Sequence, residues 1–557
     1  MIQPAELLAH TKALVRFLVD DLRDGVAAGG EAAGVVEGEY ARAHAAGRTA
    51  LARAEWAEGL YAQVAVAWVL GAVFVRFCED NGLVPEPLLA GPGPRRAIAI
   101  DQRAAYLREH PADDDRHWLR EVFNRYGTLP ATGDVFGDHN PIWLLAPSAD
   151  GARQLLQKLQ EIDPDTGDLR HDFTDVAWDT RFLGDLYQDL SEHAKKTYAL
   201  LQTPIFVEEF ILDRTLEPAL ATFGLRHTTA IDPTCGSGHF LLGIFDRLFK
   251  RWCAAEPGTN RRELARRALD AIGGVDLNPS AASIARFRLL VAALRAGGDT
   301  RLAHAPAYPI NIAVGDSLLH GDPQDRLAGT INDDLAAAEA HGYATEDVDQ
   351  ARQLLSRSWH VVVGNPPYIT VKDPALNARY RSRYTTCRGK YSLGVPFTER
   401  FFQLTHRDSN PERAGIVGMI TANSFMKREM GKDLIEDWLP GADLTHVLDT
   451  SGAYLPGFGT PTVILLGRNR MPVSATVRVV MGIRGEPSRP ENTEHGIVWS
   501  SIVGLVDQPG SANDYVSVVD LDRTRLYKHP WSIGGGGAAD LKQTLDDAGS
   551  HLLVSPA

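Results

Sequence analysis

Cysteine is scarce in this 557-residue chain. The four present, Cys78, Cys235, Cys253 and Cys387, stand far apart without Cys-x-x-Cys spacing, which argues against a disulfide framework and against a zinc site. Basic residues are outnumbered, with 57 Lys and Arg facing 71 Asp and Glu for a formal net charge of −14. So acidic a chain does not coat a polyanion over its whole surface, and any nucleic-acid contact must use a local basic patch. No apolar run is long enough to span a bilayer. The longest, near Val64–Val75, is followed by Arg76, Glu79 and Asp80 and reads as a buried core helix. The N-terminus lacks a basic cluster ahead of an apolar stretch, so no signal peptide is expected. These absences point to a cytoplasmic globular protein with free thiols, no membrane partner and no metal.

Catalytic signatures are missing too. There is no Ser-His-Asp or paired-glutamate arrangement, and the zinc deaminase pattern His-x-Glu…Pro-Cys-x-x-Cys is absent. Before residue 230, lysine occurs only at Lys12, Lys158, Lys195 and Lys196, none with an acid two residues earlier. That argues against a metal-dependent nuclease at the N-terminus.

What is present falls into three stretches. Residues 1–195 carry the three-four spacing of amphipathic helices, as in Leu14, Phe17, Leu18, Leu22 and in Tyr61, Val64, Ala65, Trp68, Val69. Residues 196–470 alternate strands and helices, the texture of a mostly parallel α/β sheet of Rossmann-like order. Strands are expected at 228–232, 271–276, 311–315, 360–363, 415–420, 444–448 and 461–466. Helices are expected at 205–223, 239–253, 279–296, 397–406 and 427–438. An acidic, Ala-rich insertion occupies 321–357. Residues 471–557 read as strand-and-turn material with a glycine run at Gly534–Gly537 and a final short helix, the start of a C-terminal recognition or linking region.

Within the α/β stretch, Val361-Val362-Val363-Gly364 ends in Asn365-Pro366-Pro367-Tyr368. A buried strand, a glycine turn and two stiff prolines leave a side-chain amide, exposed carbonyls and an aromatic ring at the strand end. Asn365 Oδ1 and the Pro366 carbonyl can each accept one N6 proton of adenine while Tyr368 stacks on the ring. In isolation the four residues suit a Pro-rich turn equally well. Their surroundings decide the matter. Asp232-Pro233-Thr234-Cys235-Gly236-Ser237-Gly238 lies at a strand-to-helix junction, where Gly236 and Gly238 let a ligand approach backbone N–H groups and an acid suits an ammonium group. Asp276 ends the next strand and can accept both hydroxyls of a ribose, and Asp316, beside Ser317, ends a third and can accept from an exocyclic amine. Downstream, Lys372, Arg379, Arg381, Arg383, Arg388 and Lys390 face the single acid Asp373, with Tyr380, Tyr384 and Tyr391 interleaved. This is the candidate DNA-backbone patch.

The ordered set Gln202-Thr203-Pro204, Asp232–Phe240, Val275–Pro279, Gly315–Ser317 and Asn365–Tyr368 resembles the gamma-class adenine-N6 DNA methyltransferases. A closer similarity, through Phe182–Gln188, Gln202–Leu216, Gly389–Phe397 and Gly459–Leu465, is to the PglX methyltransferases of phage growth limitation (BREX type 2) defence systems. The resemblance implies S-adenosylmethionine as cofactor, double-stranded DNA as substrate and other defence-system proteins as partners. It implies that Thr203 and Pro204 line the methionine end of the cofactor, that Asp232 sits near its amino group, and that Pro233, Cys235, Gly236 and Gly238 also bind the cofactor. Asp276 would hold the ribose, and Asp316 with Ser317 the cofactor adenine. It makes Asn365, Pro366, Pro367 and Tyr368 the catalytic loop. Members are roughly twice this length, so the expectation is an N-terminal portion or a short version. Phe425, in Thr421–Phe425, is the candidate second stacking face for a flipped-out base, against its alternative as a core aromatic. Two rival functions stay open: methylation of a protein glutamine, whose planar amide fits the same loop, and a catalytically silent DNA- or partner-binding scaffold.

Overall fold

The structure, a computed structural model, describes residues 4–190, 202–321, 343–531 and 533. The expected boundary at 195, most of the insertion, the glycine run and the final short helix lie outside the described residues. Nine strands are present among the described residues: β1 Ala230–Asp232, β2 Ile272–Asp276, β3 Ile312–Val314, β4 Val361–Gly364, β5 Ile416–Ala422, β6 Asp443–Asp449, β7 Thr462–Arg468, β8 Thr476–Gly482 and β9 Val516–Asp522. The first seven fall where β-branched runs predict them. The chain forms two compact units. One comprises Met1–Gln202, Thr234–Ser356 and Asp373–Leu376; the other comprises Thr203–Pro233, Arg357–Lys372 and Asn377–Ala557.

The first unit is built around the helix Arg53–Asp80, whose sequence from Leu60 to Val75 holds no charged residue. It is the one helix among the described residues long and apolar enough to cross a membrane, yet 94% of its most apolar window is buried, as the core-helix reading requires. Its one deep cation is satisfied: Arg76, fully buried, donates to both carboxylate oxygens of Asp80 at 3.2 and 2.9 Å, to the His171 carbonyl at 2.7 Å and to the Leu159 carbonyl. Phe74 stacks on Phe287 with centroids 4.3 Å apart, and Phe77 meets the same ring edge-on at 5.6 Å. Phe287 belongs to the helix Pro279–Gly297, which is capped by Asn278, opened by Pro279 at its first position and ended by left-handed Gly298. The N-terminal helices and the strands β2 and β3 thus share a core. β2 and β3 pair in parallel, with Gly274 opposite Ile312 and Asp276 opposite Val314. A helix not anticipated from sequence, Arg261–Asp270, is capped by Asn260 and buries Leu264, Ala265, Ala268 and Leu269.

The second unit is a mixed sheet in the order β1-β4-β5-β7-β6-β8-β9. β1, β4 and β5 run parallel, whereas β7 lies antiparallel between β5 and β6. The expectation of a mostly parallel sheet holds in this stretch: β1, β4, β5 and β6 run one way and β7 alone runs against them. The segment joining β6 to β7 carries no helix to act as a crossover, so the two strands return antiparallel. After Arg470 the chain continues the same sheet with β8, parallel to β6, and β9. The helix expected over 205–223 is broken into Ile205–Asp213 and Leu216–Phe223. Pro218 has no N–H and its ring clashes with the carbonyl four residues earlier, at Arg214, which places the break there. The helix expected over 427–438 is instead a short 3-10 turn, Glu429–Gly431, and a π-turn, Leu434–Trp438. A Cβ at Gly431 would collide with the Phe425 carbonyl, so the chain passes too close there for a regular helix of larger residues.

Candidate active site

In the first unit, β2 and the loop before the helix His239–Ala255 form a backbone cradle. The Cys235 amide donates to the Val275 carbonyl at 3.1 Å, tying the loop to the strand. Gly236 and Gly238 take φ of +54° and +85°, conformations that cost side-chain-bearing residues energy. A Cβ on Gly236 would meet nothing within 4 Å, whereas one on Gly238 would press on Ala285 at 3.1 Å. The loop is therefore open at Gly236 and tightly packed at Gly238. Asp276, half-buried at the end of β2, accepts the Gly236 amide at 2.9 Å and the Asn278 amide at 2.8 Å. Burial pushes its carboxyl up to about 6 against the pull of those two amides. The result is a carboxylate set among neutral donors, suited to accepting hydroxyls.

Gly315, just past β3, donates its amide to the Asp276 carbonyl at 2.9 Å, so the ends of the two strands are stitched together. Asp316 and Ser317 follow, each less than 5% exposed, and Asp316 Oδ1 accepts the Leu318 amide at 3.0 Å. Arg288, 2% exposed, donates to the Ser237 carbonyl at 2.7 Å and braces the glycine loop from beneath. Sequence reasoning did not find this residue. It lies ten positions into a helix with no motif of its own.

In the second unit, Asp232 ends β1 at 2% exposure, followed by buried Pro233. β1 pairs with β4 through Ile231 and Val362, and β4 with β5 through Gly364 and Met419. Thr203 is buried, and Pro204 opens the helix Ile205–Asp213, its carbonyl accepting the Val207 amide at 2.9 Å. Asn365 emerges directly after β4, with Pro366 buried and Asn365, Pro367 and Tyr368 half-buried. The Tyr368 ring lies 6.0 Å from that of Phe458 at a tilt of 57°. Its hydroxyl is enclosed without a hydrogen-bond partner among the described residues, and burial drives its pKa well above the phenolic norm. Phe458 was not singled out from sequence. Its signal is a half-buried aromatic flanked by Gly457 and Gly459 in the loop between β6 and β7.

Phe425 does not occupy an open face. It is 2% exposed and packs edge-on against Trp531 at 5.7 Å, so its alternative as a core aromatic is the one observed. The basic segment is also revised. Tyr380, Tyr384 and Tyr391 are buried and offer no stacking platform. Arg381 is engaged by Asn377 Oδ1 at 2.7 Å and by the carbonyls of Cys387 and Gly389, its guanidinium lying over the Tyr391 ring. Arg388 is paired with Asp433 at 2.7 Å and Glu429 at 3.1 Å. Arg379 and Arg383 are half-buried, which leaves Lys372 and Lys390 as exposed cations. The acids that neutralise Arg388 lie more than forty residues away in sequence, beyond the reach of a local charge count.

Residues 270–453 match the Eco57I restriction-modification methylase family. The adenine-specific methyltransferase PglX of Streptomyces coelicolor is 50% identical over 100% of this chain and 47% of its own length. The type II methyltransferase M.PaeR7I of Pseudomonas aeruginosa is 24% identical over 62% of this chain and 52% of its own length. Among solved structures, a cryo-EM structure of a DrdV–DNA complex covers 86% of this chain and 42% of that chain, with 16% identity and a TM-score of 0.49. The chain spans about half the length of the curated relatives it matches.

Proposed function

We propose that this chain, a member of the restriction-modification methyltransferases and a relative of PglX along its whole sequence, moves a methyl group from S-adenosylmethionine to N6 of an adenine in double-stranded DNA. Its kinship with PglX supports a role in anti-phage defence beside other proteins of such a system. The observation that carries the reading is the Asn365–Tyr368 loop at the end of β4, with Phe458 beside the Tyr368 ring.

The residues present fit the cofactor. Gly236 has open space where a side chain would stand, and Asp276 is a carboxylate with two amide donors. A ribose diol needs such an acceptor, and a ligand backbone needs such a glycine. Thr203, Pro204 and Asp232 would serve the methionine end, and Asp316 with Ser317 the adenine end. When bound, S-adenosylmethionine supplies a methyl group on a sulfonium, an electrophile that needs no further activation.

The chain's own work is on the acceptor. The N6 lone pair of adenine is delocalised into the ring and is a poor nucleophile. Asn365 Oδ1 and the Pro366 carbonyl accept the two N6 protons and build electron density on the nitrogen where charge develops. Methylation would leave N6 with one proton too many, and that proton leaves along this hydrogen bond to solvent. Positioning supplies most of the rate, so no strong base is required. A base inside a duplex is out of reach and must be flipped out, with Tyr368 holding one face and Phe458 bounding the pocket.

The test is transfer of labelled methyl from S-adenosylmethionine to unmethylated DNA, followed by nucleoside analysis. The expected product is N6-methyladenine, and Asn365→Ala should abolish it while cofactor affinity changes less than about twofold. Label in a protein glutamine instead, or full transfer by the variant, overturns the reading.

A further inference from the structure

Asp373 is the lone acid of the basic segment, and the proposed chemistry gives it no task. Its carboxylate gathers four donors. Two are local: the amides of Ala375 at 2.9 Å and Leu376 at 3.3 Å, which it caps as the helix Pro374–Arg383 begins. The other two come from more than three hundred residues away, the Thr49 hydroxyl at 2.7 Å and the Ala50 amide at 3.0 Å.

The turn that supplies them is itself held rigidly. Arg48 and Glu346, both side chains less than 5% exposed, form a two-pronged pair, with one prong at 3.1 Å. The Arg48 guanidinium also lies 5.6 Å over the Tyr343 ring, and that ring stacks on Trp56. Next to Glu346, the Asp347 amide donates to the Val314 carbonyl at the end of β3 at 2.9 Å. A turn pinned on one side to a strand end is a fixed point, and Asp373 is fastened to it.

We propose that the Arg48–Ala50 turn is a positioning element for the base-binding loop, which it fixes by anchoring the loop's downstream end at Asp373. This rests on the reading of Asn365–Tyr368 given above. Four residues separate Tyr368 from Asp373, and Pro366 and Pro367 stiffen the upstream half. So short a span transmits a displacement of its end to the aromatic ring rather than absorbing it. A second tie, the Leu393 amide on the Ile369 carbonyl at 2.8 Å, steadies the middle of the loop. The N-terminal helical region thereby acts on the reaction through the placement of the loop, without touching substrate.

The experiment uses the full chain with Asp373→Asn, Thr49→Val and Thr49→Ser. Asparagine is isosteric and still caps a helix, so the first variant weakens the tie to the turn and spares the helix. Hydrogen exchange should speed up in the peptide spanning 365–376 for Asp373→Asn and Thr49→Val, with the rest of the protein and the melting temperature unchanged. Turnover on DNA should fall roughly ten- to a hundredfold, as expected of a misplaced reacting group, while the Kd for S-adenosylmethionine stays within about twofold. Thr49→Ser, which keeps the hydroxyl, should restore both readouts. Unchanged exchange in 365–376, or a loosened loop with unaltered turnover, overturns the proposal. A wild-type chain that methylates no DNA refutes the proposed function instead, and the exchange arm then still decides whether the turn anchors the loop.

Discussion

The Tyr368 hydroxyl is enclosed and unpartnered among the described residues, so the ring is the useful part of that side chain. Tyr368→Phe should keep most methyl transfer and cost no stability, because it removes a polar group that burial penalises by about 1–3 kcal/mol. Tyr368→Ala should weaken base holding by about 1–3 kcal/mol, read as loss of DNA turnover in kinetic assays. Phe458→Ala should lose less. Asp276 makes an opposed pair of pH predictions. Its carboxyl is raised from 3.8 to about 6, so the folded chain binds this proton more tightly than the unfolded chain does. The group therefore adds stability at low pH, and that contribution is lost as pH rises through about 6. The proposed cofactor contact should run the other way, because an ionised carboxylate would accept both ribose hydroxyls and a protonated one would not. Thermal midpoints and calorimetric titrations of wild type and Asp276→Asn, compared between about pH 4.5 and 7.5, check both slopes. The variant should flatten each.

At the level of elements, the glycine loop and the broken helix carry different information. Gly238→Ala would place a methyl group at a left-handed φ and 3.1 Å from Ala285. It should cost about 1–3 kcal/mol and weaken cofactor binding, measurable by denaturant melts and calorimetry. Most elements were legible in the sequence. Val361–Gly364 and Thr462–Arg468 are β-branched or aliphatic runs bounded by turn residues, and Pro279–Gly297 carries its cap, its proline and its glycine. The order of strands was less legible. That β7 inserts between β5 and β6 depends on a connection without a helix, a tertiary consequence rather than a local one. The candidate site divides the same way. Residues at strand ends were found because strand ends were found. Phe458 and Arg288 were missed because each acts through a contact distant in sequence, and Phe425 was misplaced because its partner, Trp531, is more than a hundred residues away.

Over the whole molecule, the charge of −14 limits how the proposed DNA substrate could be engaged. With Arg381 and Arg388 committed to internal partners, Lys372 and Lys390 are the free-standing cations of the basic segment. Each lysine, replaced by alanine, should lower the slope of log affinity against log salt by roughly one, with melting temperature unchanged. Arg388→Ala should instead destabilise the Asp433 and Glu429 contacts and leave the salt slope nearly intact. Binding isotherms at several salt concentrations distinguish the two kinds of residue.

The packing of Phe74 and Phe77 against Phe287 joins residues about two hundred positions apart. On a ribosome adding about 5–20 residues per second, the aromatic face of the helix Arg53–Asp80 waits roughly ten to forty seconds for its partner. During that interval the nascent chain shows an unsatisfied apolar helix surface to solvent or to a chaperone. A gene cut anywhere before residue 287 would make that wait permanent, and its product should be found in inclusion bodies rather than in solution.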